Sequence, residues 1–279
     1  MKKISLDIIR DEFLDIYAAI RDLSDDTILS GHDSMFRSHF ERLNHLAAMD
    51  VDDGTAEEIF RDPKLQHVIK HISHLKRING LRMEIKFARS IISSRDPWAL
   101  LESFFYYPNY MKLALMEYEG GNLRQGNRVV FLGSGPLPLS LICLYKKYGI
   151  EGIGIEQVPE YIELSKNLIQ KLGLTGHIRI MQGNHFSLPL KDDCRLIMVA
   201  ANALPKNEIF SHLAKVLPDG TILSYRIYEK NLRRLLDSQS VFELPPEFKE
   251  YTRIRPEPPV NNTSVFIVVE QGKTNLMAS

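Results

Sequence analysis

The feature that most constrains the fold is a regular alternation of strand-like and helix-like segments after residue 125. Residues 128–133, Arg-Val-Val-Phe-Leu-Gly, are almost entirely apolar and predict a buried strand. Five further strand-like runs follow, at residues 152–156, 177–182, 196–201, 221–228 and 263–270. Helical periodicity occupies three of the intervening stretches, at residues 139–148, 159–172 and 206–216. This order predicts an α/β fold in which right-handed crossovers build a parallel sheet with helices on both faces.

The part of the chain before residue 120 shows helical periodicity and no strand pattern. Apolar residues recur at helical spacings of three and four, as in Leu65, Val68, Ile69, Ile72 and Leu75. We therefore predict a helical domain at residues 1–120, followed by a Rossmann-like domain at residues 121–279. The polar, glycine-rich segment 119–126 marks the expected boundary.

Charge and apolar content limit the partners that this chain is expected to have. It carries 35 basic and 35 acidic side chains, whereas a protein that binds phosphate backbones usually has a basic excess. It also lacks an apolar run long enough to span a membrane. The amino terminus lacks the pattern of a secretory signal. Cys143 and Cys194 lie far apart in the sequence, and we predict that they are buried, reduced thiols. We expect a cytoplasmic protein, a monomer or homodimer, that binds neither nucleic acid nor membrane.

A glycine-containing loop directly after the first predicted strand indicates a nucleotide site. Gly133, Ser134, Gly135 and Pro136 lie between that strand and the following helix, where glycines allow a tight turn and close approach of a ligand. Glu156 ends the next predicted strand, 21 positions after Gly135. An acidic side chain at this spacing can accept hydrogen bonds from both hydroxyl groups of a ribose.

The next two strands also end in residues that suit an adenosine ligand. Asn184 follows the third strand and could recognise an adenine edge through its amide, and the small Ala200 ends the fourth strand and leaves room for a flat base. Pro138 stands where dinucleotide-binding loops carry their third glycine, which disfavours NAD. S-adenosylmethionine has no pyrophosphate, so it does not need that glycine.

Glu84 is the most informative residue of the helical part. It lies within the apolar helical stripe formed by Leu81, Ile85, Ala88 and Ile92, and no residue three or four positions away from it is charged. A carboxylate on such a face requires a partner or acquires a raised pKa, which would suit a general base for an amine. The pattern fits equally well a carboxylate that pairs structurally with a basic residue of the other domain, so both interpretations stay open.

Three tyrosines follow in residues 103–110, where Pro108 must break or kink the helix. Tyr110 could direct its hydroxyl into a cleft between the domains, although aromatic clusters of this kind more often pack in a core. Three histidines also share one helix face, at positions 67, 71 and 74. No carboxylate or thiol set accompanies them, so we predict a solvated helix edge and no metal site.

Four segments together resemble the nicotianamine synthase family, most closely its short archaeal members. They are residues 95–98 (Arg-Asp-Pro-Trp), 104–110 (Phe-Phe-Tyr-Tyr-Pro-Asn-Tyr), 130–139 (Val-Phe-Leu-Gly-Ser-Gly-Pro-Leu-Pro-Leu) and 260–265 (Val-Asn-Asn-Thr-Ser-Val). The resemblance covers roughly residues 65–270. It implies an N-terminal helical bundle followed by a class I methyltransferase-like Rossmann domain.

The resemblance also implies an activity. Enzymes of this family transfer the 3-amino-3-carboxypropyl group of S-adenosylmethionine to an amine, release methylthioadenosine, and build metal chelators such as nicotianamine. The catalytic glutamate and tyrosine of the family fall on Glu84 and Tyr110 of this sequence. S-adenosylmethionine is then a co-substrate, and the resemblance implies no metal requirement.

Two residues remain as candidate substrate contacts, and three alternative functions stay open. Tyr107 belongs to the tyrosine cluster, and Arg226 ends the fifth strand, where its guanidinium could bind a carboxylate with two hydrogen bonds. Arg226 could equally form a surface or interdomain ion pair. The alternative functions are cyclisation of S-adenosylmethionine to azetidine-2-carboxylate, methylation of a small molecule, and ligand sensing without turnover.

Overall fold

A computed structural model describes residues 6–189, 193–238, 242–257 and 260–270. Packing divides the chain into two compact units. The first contains the described residues up to Lys86 and the segment that begins at Ile227. The second runs from Phe87 to Arg226 and resumes at Phe242.

The first unit is built from helices around an apolar core. Its α-helices are α1 Leu6–Ile20, α2 Asp25–Ser30, α3 Arg37–Ala47, α4 Asp53–Arg61 and most of α5 Pro63–Ser93. Short 3₁₀ helices lie at Asp33–Met35 and Asn231–Leu236. The five apolar residues between Leu65 and Leu75 that define the predicted helical stripe are all buried in this core, which confirms the predicted helix face.

The second unit combines helices with a seven-stranded sheet. Its helices beyond α5 are α6 Pro97–Glu102, α7 Tyr107–Gly120, α8 Leu139–Tyr148, α9 Pro159–Lys171 and α10 Lys206–Val216. Its strands are β1 Arg128–Leu132, β2 Glu151–Glu156, β3 Ile178–Gln182, β4 Leu196–Val199, β5 Ile222–Ile227, β6 Phe248–Ile254 and β7 Thr263–Val269.

The strand order is β3-β2-β1-β4-β5-β7-β6. The pairs β1–β2, β2–β3, β1–β4 and β4–β5 are parallel, whereas β6–β7 is antiparallel. The predicted α/β class is confirmed, and six of the seven strands lie within the predicted runs to within a few residues. β6 has no counterpart among the predicted strands; it lies at the edge of the sheet, and of its residues only Phe248 is buried. No described helix combines the length and apolar composition that a membrane-spanning segment needs.

The boundary between the compact units depends on packing, whereas the boundary predicted from the sequence depends on the order of helices and strands. Among the described residues, the first strand begins at Arg128, after the change to strand–helix alternation that the sequence predicts. The compact units instead divide inside α5, after Lys86, so that α6 and α7 belong to the second unit. Segments separated in sequence thus share a unit because they share an apolar core.

Candidate functional site

The loop after β1 is held tightly against the end of β2. The backbone N–H groups of Gly133 and Ser134 both donate to the carbonyl oxygen of Ile155, over 2.9 and 3.1 Å. Gly133 has a φ of 80° and Gly135 a φ of 68°, a backbone conformation that glycine adopts without steric cost. A Cβ atom on Gly133 would also lie 3.2 Å from that of Ala203. The positive φ favours glycine at this position, and a side chain there would also press on Ala203.

The carboxylate of Glu156 is fixed by three backbone N–H groups. Gly135 donates to Oε2 over 3.0 Å, and Gln157 and Val158 donate to Oε1 over 2.9 and 3.0 Å. Glu156 is 8% exposed. A carboxylate offers about four acceptor positions, so this side chain retains capacity for a ligand hydroxyl while its orientation is already set.

The ends of β3 and β4 lie beside this carboxylate and loop. Gly183 N–H donates to the carbonyl oxygen of Glu156 over 2.9 Å, which places Asn184 next to the end of β2. Asn184 Oδ1 accepts the N–H of Phe186 over 3.0 Å, so its amide nitrogen is the group available to donate to a base. Ala200 N–H donates to the carbonyl oxygen of Leu132 over 3.0 Å, and Lys206 Nζ donates to the carbonyl oxygen of Ala200.

The structure thus brings together the residues predicted for a nucleotide site, which lie on the glycine loop and at the carboxyl ends of β2, β3 and β4. These residues are Gly133, Ser134, Gly135, Pro136, Glu156, Asn184 and Ala200. Ser134 and Pro136 are buried. Open parallel sheets bind their ligands at this edge.

The tyrosine cluster begins α7. Pro108 is the second residue of that helix, and α6 ends before it at Glu102, so the predicted break is confirmed. Tyr107 is half-buried, and burial raises the pKa of its hydroxyl. Lys146 Nζ lies 5.8 Å from the centre of the Tyr107 ring and 4.7 Å from that of Trp98. The lysine therefore links the two aromatic motifs by cation–π contacts.

Tyr110 and Glu84, the two candidate catalytic residues, lie in different units. Tyr110 is half-buried in the first turn of α7 and packs against Leu113, Met116 and Val260. Glu84 is half-buried on α5, one turn before the fully buried Ala88.

Arg226 forms a buried ion pair within the second unit. Its Nε donates to Glu117 Oε1 over 3.1 Å, and its Nη1 donates to Ser140 Oγ over 3.1 Å. Ser264 Oγ also donates to Glu117 Oε1, over 3.2 Å. Of the two alternatives that the sequence left open for Arg226, the ion pair is the one observed, although it is neither at the surface nor between the units.

Glu117 is not among the residues predicted from the sequence. Its neighbours at three and four positions are Leu113, Ala114 and Gly120 on α7 and the C-cap residue Gly121, none of them charged. This is the pattern that singled out Glu84, so the signal was present in the sequence.

Two of the clustered histidines contact neighbouring helices, and the two cysteines are fully or partly buried. His71 Nδ1 lies 3.0 Å from the Tyr17 hydroxyl, and His74 Nε2 lies 2.7 Å from Asp25 Oδ1, so these two rings bind neighbouring helices and are not simply solvated. Burial raises the pKa of Cys143 to about 12 and that of the half-buried Cys194 to about 11, which keeps both thiols protonated. Within the described ranges, no group of three or more histidine, cysteine or acidic side chains is arranged to hold a metal ion.

Comparison with protein families gives a match along nearly the whole chain. The family described as nicotianamine synthase protein matches residues 4–275. Among curated proteins, a nicotianamine synthase of Solanum lycopersicum is 35% identical over 89 residues. That alignment covers 30% of this chain and 28% of the tomato protein.

Solved structures of a protein named MtNAS match over most of both chains. A glutamate-to-glutamine mutant of MtNAS in complex with S-adenosylmethionine is 28% identical, with a TM-score of 0.81. The alignment covers 94% of this chain and 98% of the mutant. MtNAS in complex with MTA and tNA is 27% identical, with a TM-score of 0.83, and the alignment covers 95% of this chain and 98% of MtNAS.

Proposed function

The chain belongs to the nicotianamine synthase family, and on that basis we propose that it is an S-adenosylmethionine-dependent aminocarboxypropyltransferase. It moves the 3-amino-3-carboxypropyl group of S-adenosylmethionine onto an amino-acid amine, releases methylthioadenosine, and makes a nicotianamine-like metal chelator. The observation that carries the proposal is the alignment with MtNAS in complex with S-adenosylmethionine, which covers 94% of this chain and 98% of that one.

We assign the contacts with S-adenosylmethionine to this edge of the sheet. In the proposal, the loop from Gly133 to Pro136 approaches the aminocarboxypropyl end, and Glu156 accepts hydrogen bonds from the ribose hydroxyls. Asn184 donates to the adenine edge, and Ala200 leaves room beside it. The three N–H groups on the Glu156 carboxylate support this assignment, because they hold the acceptor in place before the ligand binds.

The proposed chemistry requires a base. An amino-acid amine is protonated at neutral pH and cannot attack carbon until it loses a proton. We assign Glu84 to accept that proton and Tyr110 to orient the amine. The nitrogen then forms a bond to the γ-carbon of the aminocarboxypropyl group while the bond between that carbon and the sulfonium sulfur breaks. Both electrons of the broken bond stay on sulfur, which leaves in the neutral thioether methylthioadenosine.

The two remaining candidates take different places in the proposal. Tyr107 stays a substrate contact, and its half-buried ring beside Lys146 would present a fixed hydroxyl. For Arg226 the sequence left a carboxylate contact and an ion pair equally open, and its Nε and Nη1 groups donate to Glu117 and Ser140. An indirect role for Arg226 is therefore better supported than direct contact with the substrate.

We also propose where and with what the enzyme works. Its partners are S-adenosylmethionine and a small amino acid, with no metal required, and it acts as a monomer or homodimer without binding nucleic acid or membrane. The two free cysteines among the described residues support a reducing compartment such as the cytoplasm.

The by-product tests the proposed activity. The purified protein is incubated with S-adenosylmethionine and each member of a panel of amino acids, and the products are identified by mass spectrometry. We expect methylthioadenosine, together with an adduct of one amino acid. S-adenosylhomocysteine as the sole by-product would instead identify a methyltransferase. Methylthioadenosine with free azetidine-2-carboxylate and no adduct would identify a cyclase, and no turnover at all would contradict an enzymatic role.

A further inference from the structure

The buried ion pair of the second unit is hydrogen-bonded to the helix that follows the glycine loop. Arg226, at the end of β5, is 7% exposed, and Glu117, on α7, is 1% exposed. Besides its bond to Glu117, the guanidinium donates to Ser140 Oγ over 3.1 Å. Ser140 is the second residue of α8. The pair thus contacts the first turn of that helix.

The beginning of α8 is an effective place to restrain the loop. The loop that starts at Gly133 ends at Pro138, which is the N-cap residue of α8 and makes no side-chain capping hydrogen bond. The loop itself therefore supplies no side-chain restraint on the first turn, and a side chain of another element can add one. The guanidinium supplies one from β5, and its central carbon also lies 6.0 Å from the centre of the Phe131 ring on β1.

Stability alone does not account for this ion pair. Glu117 Oε2 and Arg226 Nη2 are buried, and neither has a hydrogen-bond partner in the part of the chain that the structure describes. A buried pair that leaves such atoms unsatisfied is usually no more stable than apolar side chains of similar volume in the same place. A positioning role gives the pair a function that apolar side chains could not perform.

We propose that Glu117 and Arg226 position the S-adenosylmethionine loop through Ser140 and thereby set the affinity for S-adenosylmethionine. The inference rests on the proposed function, because it takes the loop as the binding site for that co-substrate. Glu117 orients the guanidinium, the guanidinium holds Ser140, and Ser140 fixes the start of α8 where the loop ends. Both charged residues are positioning residues that act through this hydroxyl group.

Two serines on the same ion pair provide a matched test. Ser140→Ala removes the hydroxyl that links Arg226 to α8. Ser264→Ala removes the hydroxyl that donates to Glu117 from β7, which does not border the loop in sequence. The two serines are 1% and 0% exposed, so the two changes remove the same atom from equally buried sites.

Calorimetric titration with S-adenosylmethionine measures the effect without relying on turnover. Losing a hydrogen bond from a charged donor should weaken S-adenosylmethionine binding about three- to tenfold in Ser140→Ala. Ser264→Ala should bind S-adenosylmethionine within about twofold of the wild-type protein, because it leaves the Arg226–Ser140 bond in place. The rate of methylthioadenosine release at saturating S-adenosylmethionine should stay close to wild type in Ser264→Ala.

A double variant separates positioning from folding. Glu117→Met combined with Arg226→Met replaces the pair with apolar side chains, so its melting temperature should stay near that of the wild-type protein. Its affinity for S-adenosylmethionine should nevertheless fall at least as far as in Ser140→Ala. A melting temperature that falls in step with affinity would contradict the inference and indicate a purely structural pair.

The remaining outcomes distinguish this inference from the proposed function. Equal affinity of Ser140→Ala and Ser264→Ala for S-adenosylmethionine would overturn the positioning role, while production of methylthioadenosine would still support the enzyme. A wild-type protein that bound no S-adenosylmethionine would overturn both.

Discussion

Among single residues, Glu84 has the central role in the proposed reaction, that of the base. In the proposed reaction it accepts a proton from the ammonium group of the amino acid. Its side chain is half-buried on α5.

Replacing Glu84 with glutamine removes the base and keeps the shape of the side chain. We expect Glu84→Gln to bind S-adenosylmethionine with wild-type affinity and to lose aminocarboxypropyl transfer by about a hundredfold or more. Calorimetry and quantification of methylthioadenosine measure the two properties separately. The control is Glu58→Gln, which makes the same change at an exposed position of the first unit and should leave both unchanged. Normal turnover in Glu84→Gln would remove this residue from the mechanism.

A comparison of two glutamates shows what residue patterns can and cannot predict. Glu84 and Glu117 both lie on apolar helix faces without charged neighbours at three or four positions. The first is half-buried, whereas the second is almost completely buried against Arg226, 109 positions later in the chain. The sequence identifies a carboxylate that needs compensation, but the partner is set by tertiary packing, which local spacing does not encode.

At the scale of elements, the end of α7 is packed directly against β7. A Cβ atom built on Gly120, the last residue of α7, would lie 2.2 Å from an atom of the Phe266 ring. Phe266 is fully buried in the core of the second unit, so its ring has little space to move. The contact requires a residue without a side chain at this helix end.

Two glycine-to-alanine changes should therefore have opposite effects. Gly120→Ala forces a clash with Phe266 and should lower the free energy of unfolding by about 1–3 kcal/mol. Gly80→Ala lies inside α5, where a Cβ atom meets nothing within 4 Å, and should raise stability by about 0.5–1 kcal/mol. Denaturant unfolding of both variants measures the difference. A stability gain in Gly120→Ala would show that the ring can yield.

Most elements could be predicted because their local pattern and their packing agree. The helices α8 and α10 have the predicted bounds, and β1 is buried throughout except for Arg128, as expected for a central parallel strand. β6 contains Lys249, Glu250 and Arg253, so its sequence lacks the apolar run that marks a buried strand. Its position at the sheet edge, beside β7, explains why these charged side chains are tolerated.

At the scale of the whole molecule, the segment after β5 packs with elements that lie far from it in the sequence. The 3₁₀ helix Asn231–Leu236 packs with α3 and α4 and places Leu232 and Leu235 in the core of the first unit. Arg234 adds an ion pair with Glu57. Strand–helix alternation could not reveal this association, because it depends on a match between side chains far apart in the chain.

Leu235→Ala tests this association. Leu235 is fully buried, so its truncation should cost about 2–5 kcal/mol. Amide hydrogen exchange should show the loss of protection in α3 and α4, although the change lies about 180 residues later in the chain. Leu14→Ala, at a position that is 42% exposed on α1, is the matched control and should change protection little. Loss confined to β5 and β7 would contradict the assignment of this segment to the first unit.

The 3₁₀ helix Asn231–Leu236 is synthesised long after the helices it packs with, and this has a consequence for folding on the ribosome. The chain emerges from its amino terminus, so α1 to α4 are complete long before Leu232 and Leu235, which close part of their core. The core of the second unit is also incomplete until β7 is synthesised, because β7 inserts between β5 and β6 and brings Phe266 into that core. In a nascent chain, part of each core therefore stays open until these late segments are synthesised, and a chaperone that binds apolar surfaces has that interval in which to act.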